Sequence, residues 1–169
     1  MSLDKLPVHI ITSDYLFTGR IASSGQRLQD TLNNSMTDYV RLHEVQVFRL
    51  TATGDQVADF REAIVSKTHI DLVILKKDDH EAPNKRLYAH VPKNRYDACA
   101  TIGSCVVRGH LHMPSVPDAQ AFLVQEGRAF FPITDATIFF ASAASEPLQA
   151  AVVIMRKSAI AFFAIGDRA

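Results

Sequence analysis

Short apolar runs bounded by turn residues recur along the chain, a pattern typical of β-strands. Residues 8–21, VHIITSDYLFTGRI, match residues 98–111, ACATIGSCVVRGHL, without a gap, and Gly19 falls on Gly109. In both segments branched or apolar residues precede the glycine. The pattern therefore predicts the same pair of strands at two places in the chain.

Two further blocks recur in the same order. Residues 39–48, YVRLHEVQVF, lie over residues 130–139, FFPITDATIF, so that Glu44 matches Asp135. Residues 72–77, LVILKK, lie over residues 152–157, VVIMRK. Three blocks in one order predict an internal duplication with a unit of about eighty residues, too few copies for a solenoid.

Each copy is expected to contain about five strands. The second copy continues from its third block into AIAFFAI, whereas the first inserts a polar stretch before RLYAHV, residues 86–91, its predicted last strand. Closing five short strands into a small barrel removes exposed edges. We therefore predict a mainly β chain with two tandem small β-barrels, over residues 1–93 and 94–169.

One helix is predicted, near residues 55–67, DQVADFREAIVSK. Val57, Phe60 and Ile64 have near-helical spacing, with charged residues on the other side. The second copy has only ASAASEP at this point, so the helix is expected to be an insertion in the first copy. It would cover the end of its own barrel or contact a neighbouring subunit.

Composition and charge narrow the location and the partners. The 169 residues are 47% hydrophobic, and 18 Lys plus Arg balance 18 Asp plus Glu, so no global field would attract a polyanion or a membrane. The start of the chain, MSLDKLPVHIITSDY, resembles neither a signal peptide nor an anchor. The longest apolar run is far shorter than the roughly 20 residues of a membrane-spanning helix. We expect a cytoplasmic protein without a membrane partner.

The two cysteines, Cys99 and Cys105, are expected to be reduced thiols. They are six positions apart in a predicted extended segment, which separates them by roughly 20 Å unless Gly103 folds that segment back. A disulfide needs Cα atoms within about 7 Å. Buried apolar positions are the default expectation for both.

The order of a strand ending in GRI, the loop RLQDTLNN and the strand YVRLHEVQVF resembles the Sm-like barrels, which are SH3-like in fold. It is also similar to an uncharacterised bacterial family of such barrels with the loop signature R-x-x-D-x-L-N. Asp30, Leu32 and Asn33 occupy that loop. The spacing from Asp30 to Asn33 is shorter than in the Sm motif, and the Arg-Gly pair of the second Sm motif is missing.

What the resemblance implies is single-stranded RNA binding through loop residues and assembly by pairing of strand edges. The residues 84–96, NKRLYAHVPKNRY, place cations beside aromatic rings, which could hold phosphates and stack bases. The alternative for this stretch is a solvated hairpin and linker. The candidate RNA contacts are Asp30, Asn33, Lys85, Arg86, Tyr88, Lys93 and Arg95.

A metal or small-molecule site is a second alternative. His110 and His112 are two apart in a predicted strand, project to one face and could bind a metal. The histidines could equally lie on the outer face of the strand with ordinary hydrogen bonds. No nucleophile elbow, P-loop or GxGxxG motif is present, so we predict no catalytic residues and no cofactor.

Taken together, these patterns favour a non-catalytic binding or assembly module rather than an enzyme. The expected partners are further copies of the chain, with single-stranded RNA or another protein as alternatives. Two fused barrels in one chain would close a ring with an even number of barrels.

Overall fold

The computed structural model describes residues 5–22, 26–50, 55–75, 94–114, 118–141 and 146–166. These residues form ten β-strands and two short α-helices, so the predicted mainly β class is confirmed. The elements are β1 (Lys5–Ile11), β2 (Tyr15–Ala22), α1 (Leu28–Asn33), β3 (Tyr39–Arg49), β4 (Gln56–Ser66), β5 (Leu72–Leu75), β6 (Asn94–Ile102), β7 (Cys105–Met113), α2 (Ala119–Gln125), β8 (Phe130–Phe140), β9 (Leu148–Arg156) and β10 (Ile160–Ile165). The same order of elements thus occurs twice.

The described strands form one antiparallel sheet in the order β10-β6-β7-β8-β9-β5-β1-β2-β3-β4. Each half has the same internal order, with its last strand beside its first. The two halves join where β9 pairs with β5. The sequence predicts two closed barrels, whereas this sheet is open, with β10 and β4 at its edges. The two closed barrels are therefore not confirmed, since the described strands form one open sheet in which β9 of one half pairs with β5 of the other.

The hairpin match between the two copies is reproduced residue by residue. In β1 and β2, Val8 lies opposite Gly19, and in β6 and β7, Ala98 lies opposite Gly109. These are the residues that the two sequence segments place over one another. The first block of the repeat is therefore a repeat of structure.

The second block is confirmed by a bulge that occurs twice. Glu44 and Asp135 have positive φ angles of 54° and 47°, and the strand register shifts opposite them, beside Gly19 and Gly109. A Cβ atom on Gly19 would lie 3.0 Å from the His43 carbonyl oxygen, and one on Gly109 only 2.7 Å from that of Thr134. Glycine is required where the bulged strand crosses this closely.

The predicted helix at residues 55–67 is wrong, because Gln56–Ser66 is the strand β4. It pairs with β3 over its whole length, from Ser66 opposite Tyr39 to Gln56 opposite Phe48. The spacing that suggests a helix comes from apolar residues exposed on an edge strand, and pairing with β3 overrides local propensity. Its counterpart in the second half is β9, which pairs with β8 in the same way.

The predicted equivalence of the two segments in the third block is also wrong. Residues 72–75 and 152–155 do not occupy equivalent places; they pair with each other, from Leu72 opposite Met155 to Leu75 opposite Val152. Both runs are fully buried, and a shared environment explains their similar composition. By topology β5 is the equivalent of β10. The predicted strand at 86–91 lies outside the described residues.

A lysine follows the fourth strand of each half and connects the helix of that half to the sheet by hydrogen bonds. Lys67 donates to the carbonyl oxygens of Thr31 at 3.0 Å and Asn34 at 2.8 Å, and Lys157 donates to that of Glu126. Cations at a helix C-terminus are favourable. Burial lowers the pKa of Lys67, with Asp38 acting in the opposite direction.

The two described α-helices have six and seven residues, and neither could cross a membrane.

Candidate functional site

The structure describes three of the seven predicted RNA contacts. Asp30 is exposed on α1. The pKa of Arg128 is raised, chiefly by its hydrogen bonds to Glu126, and the charge of Asp30 adds a smaller contribution. Arg95 is exposed at the start of β6 and lies 3.3 Å from Asp135 Oδ2. Four predicted contacts lie outside the described residues: Lys85, Arg86, Tyr88 and Lys93.

Asn33 ties the two halves together. Its Nδ2 donates to the Phe130 carbonyl oxygen at 2.8 Å and to the Gln29 carbonyl oxygen at 2.9 Å. Its Oδ1 accepts from the Phe130 amide at 2.9 Å. Gln29 Nε2 adds a bond of 3.3 Å to the same Phe130 oxygen. The side-chain amide of Asn33 is therefore hydrogen-bonded to the backbone of β8 in this chain.

We expect Asn33→Ala to lower the free energy of unfolding by about 2 kcal/mol, since it leaves the Phe130 amide without its side-chain acceptor and the Phe130 carbonyl oxygen with Gln29 Nε2 as its one side-chain donor. The measurement is chemical denaturation of the purified variant. Asn34→Ala is the matched control, because its Oδ1 bonds only an exposed amide, that of Met36, in the described contacts. Equal stabilities for the two variants would contradict a stabilising role of the hydrogen bonds between Asn33 and Phe130.

The two candidate metal ligands are directed to different partners. His110 Nδ1 lies 3.0 Å from Asp97 Oδ1 on β6, out of line for a hydrogen bond, while His112 Nε2 is 2.8 Å from Thr134 Oγ1 on β8. Within the described residues no cluster of three or more His, Cys, Asp or Glu is placed to hold a metal ion. A metal at His110 and His112 stays a prediction without a third protein ligand among the residues described.

The cysteines are free thiols. Gly103, with φ of +55°, does fold the segment back, so that Cys105 lies opposite Ile102 and Cys99 opposite Arg108. Burial is the main cause that raises the pKa of Cys105 to about 11. The sulfur is therefore protonated at neutral pH and is a poor nucleophile.

The contact between β5 and β9 is named here the inner junction. Each of its two strands contributes side chains to the cores of both halves. On β5, Leu72 and Ile74 pack into the core of the second half, while Val73 and Leu75 pack into that of the first. On β9, Val152 and Ile154 pack into the core of the first half. Every second residue of each strand thus crosses the junction, and all of them are at most 1% exposed.

The two edges of the sheet carry apolar side chains without such cover. On β4, Val57 is 50% exposed, Phe60 56% and Ile64 63%, and on β10 Phe162 is 55% exposed. Among the described residues, β4 pairs only with β3 and β10 only with β6. Exposed apolar residues on an edge strand form a template for pairing with another chain. These edges are the candidate functional site.

An apolar groove of about 500 Å³ lies along the edge of β4. Its walls include side chains of β2, β3 and β4, and it extends to Ser13 and His69. The apolar residues that line it are Tyr15, Phe17, Val45, Val47, Phe60, Ala63, Ile64 and Val65. The groove is therefore built mainly from the three strands of the first half that are farthest from the inner junction in the order of the sheet.

Sequence reasoning missed this site because it assigned β4 to a helix. The sequence contained a signal for this edge, since an amphipathic pattern with apolar residues at exposed positions can belong to an edge strand as well as to a helix. Comparisons of the chain with protein-family models, with curated proteins and with solved structures found no match. The site therefore rests on the geometry of this chain.

Proposed function

We propose that this chain is a tandem Sm-like protein that acts as a non-catalytic assembly module and associates with further copies of itself through its strand edges. The observation that carries the proposal is that the described residues contain one junction of this kind and leave the two corresponding edges without a partner strand among them. The inner junction joins the fourth strand of one half to the last strand of the other. The open edges are again a fourth strand, β4, and a last strand, β10.

The equivalence of these strands follows from their pairing. Ser66 of β4 matches Arg156 of β9, since each lies opposite the first residue of the preceding strand. Phe162 of β10 matches Leu72 of β5, since each lies opposite equivalent residues, Thr101 and Ile11.

The exposed residues stand where the inner junction buries their equivalents. Ile64 matches Ile154, which is 1% exposed, and Phe162 matches Leu72, which is 0% exposed. Apolar positions that cross the junction inside the chain are thus retained at its ends. Since Ile64 and Phe162 are 63% and 55% exposed, their burial by a second copy would contribute roughly 1–2 kcal/mol each.

Contacts between unlike edges are heterologous and propagate. Such contacts form a ring when the rotation between copies closes, and a filament when it does not. A ring of these chains would contain an even number of Sm-like units, because each chain supplies two.

Single-stranded RNA binding stays a second proposal, carried by the resemblance to Sm-like proteins. Asn33 is engaged by Phe130, and Arg95 lies beside Asp135. The test is Lys85→Ala with Arg86→Ala in a mobility assay of a labelled single strand at low salt. Weaker binding by the variant supports the RNA proposal, and no shift with either protein would end it.

The assembly proposal is tested by producing two differently tagged copies in the same cells and purifying through one tag. We expect part of the second copy to be retained with the first, and a higher salt concentration at the same protein concentration to leave that part unchanged, because the contact is apolar. Recovery of the first copy alone would contradict the proposal.

A further inference from the structure

We infer that the apolar groove beside β4 binds a small organic ammonium ion that carries an apolar body. The ammonium group would lie beside Asp14, and the apolar body would lie against Phe17, Val47 and Phe60. All of these side chains belong to one chain, so the inference does not depend on the proposed self-association. It adds the binding of a small molecule to the proposed assembly.

The charge that lines the groove is of one sign. Asp14 is the one carboxylate among the described lining residues, and neither lysine nor arginine is among them. Within the described part of the chain the Asp14 carboxylate forms no ion pair. Its backbone carbonyl oxygen accepts from the Leu50 amide at 2.8 Å, which holds the turn between β1 and β2 against the end of β3. The groove therefore offers a positioned negative charge to a cation.

Three aromatic rings line the same groove, those of Tyr15, Phe17 and Phe60. The rings of Tyr15 and Phe17 are stacked with centroids 6.3 Å apart, while Tyr15 is 41% and Phe60 56% exposed. An aromatic ring attracts a cation that lies over its face within about 6 Å, and groups of such rings recognise substituted ammonium ions. Rings and carboxylate together favour an organic cation over a neutral or anionic ligand.

The matching place in the second half has the opposite polarity. There Ser104 stands where the first half has Asp14, and Arg156 stands where it has Ser66. Asp71 enters this place from the first half, beside the turn between β6 and β7, with its Oδ1 3.2 Å from Arg156 Nη2. The second half thus supplies the cation and receives an acid. Because the groove supplies the acid and has serine for arginine, its occupant is expected to bring the positive charge.

The last strand of the chain does not carry this charge. Ala161 matches Asp71, since the next residue, Phe162, matches Leu72. A second copy docked at this edge would therefore place an alanine near Asp14 and leave the carboxylate without a counter-ion. A separate cationic molecule is the better occupant of this end of the groove.

Size and lining favour a cation with an apolar body over a bare ion. The groove measures about 500 Å³, within the range of about 300–1,000 Å³ typical of small-molecule sites. Besides the three rings, its lining consists mainly of aliphatic side chains, Val45, Val47, Ala63, Ile64 and Val65. An inorganic cation would leave this apolar surface in water, whereas an alkyl or aryl amine would cover it. The ligand class is therefore an apolar amine with one positive charge.

The test compares three ligands with the same apolar tail: octylammonium, octanol and octanoate. Each is titrated into a dilute solution of the unaltered chain and followed by ligand-observed NMR. We expect octylammonium to bind about tenfold more tightly than octanol, because the cation gains the carboxylate and the rings. Octanoate is expected to bind more weakly than octanol.

Two asparagine variants separate the local charge from the net charge of the chain. We expect Asp14→Asn to remove the preference for octylammonium over octanol and to leave the affinity for octanol unchanged. Asp59→Asn is the matched control, since Asp59 is exposed on β4, does not line the groove and changes the net charge by the same amount. Phe60→Ala is expected to weaken the binding of both ligands, which locates them in the groove.

Loss of the preference in Asp14→Asn alone supports the inference. Equal affinities of the unaltered chain for octylammonium and octanol, equal losses in the two asparagine variants, or no binding of either ligand would each overturn it. Light scattering of the same samples measures self-association, so the ligand site and the proposed assembly can fail separately.

Discussion

We expect Ile64→Lys to reduce the proposed assembly to single chains of 18.7 kDa at about 50 µM. Ile64 is the most exposed apolar side chain of β4, at 63%, and its equivalent in the inner junction is 1% exposed. A lysine there would carry a charge into an apolar contact. Since an unpaired buried charge costs several kcal/mol, we expect at least about a hundredfold weaker association.

The substitution separates assembly from folding, because Ile64 is exposed in the single chain and an exposed change usually costs within about 0.5 kcal/mol. The thermal midpoint of the dilute variant should therefore match that of the dilute wild type. Met36→Lys is the matched control, since Met36 is 87% exposed and lies between α1 and β3, on neither edge strand. If Ile64→Lys assembles as well as Met36→Lys, β4 is not the contact.

Gly109→Ala is expected to cause the largest loss of stability from a single added methyl group. The new Cβ would lie 2.5 Å from Ile133 Cγ2, 2.7 Å from the Thr134 carbonyl oxygen and 3.1 Å from the Ala136 Cα. Two of these neighbours are backbone atoms of β8 and cannot move away alone. Overpacking of this kind typically costs 1–3 kcal/mol, and we expect about 3 kcal/mol here.

Two other glycines provide a graded comparison by thermal denaturation. Gly19→Ala meets one oxygen at 3.0 Å, that of His43, and should cost about 1 kcal/mol, a third of the effect at Gly109. Gly127→Ala meets nothing within 4 Å and should be close to neutral. The same loss at all three positions would indicate that chain entropy, rather than close strand crossing, requires the glycines.

The hairpins and the bulges could be predicted from the sequence because local signals determine them. The match of Gly19 with Gly109 and of Glu44 with Asp135 follows from a turn, a close crossing and a left-handed residue, each of which restricts the residue type at its own position. Such features appear in a single sequence without knowledge of distant contacts. They identify the duplication correctly for the first two blocks.

The inner junction could not be predicted, since non-local contacts determine it. Residues 72–75 and 152–155 look alike because both are buried on two faces, and composition cannot distinguish strands that match from strands that pair. The sequence pattern places Asn33 in a loop as a candidate RNA contact, but its partner is Phe130, ninety-seven positions later in the chain. The edge strand β4 gave a helical pattern because its apolar residues are exposed rather than alternating into a core.

The most direct test of self-association is the absolute mass of the unaltered chain in solution, measured by light scattering at about 1 and 50 µM. Self-association through the open edges predicts a mass that is a multiple of 18.7 kDa at the higher concentration and decreases on dilution, because Ser66 of β4 stands where the inner junction has Arg156, the partner of Asp71. A mass of 18.7 kDa at both concentrations would contradict it.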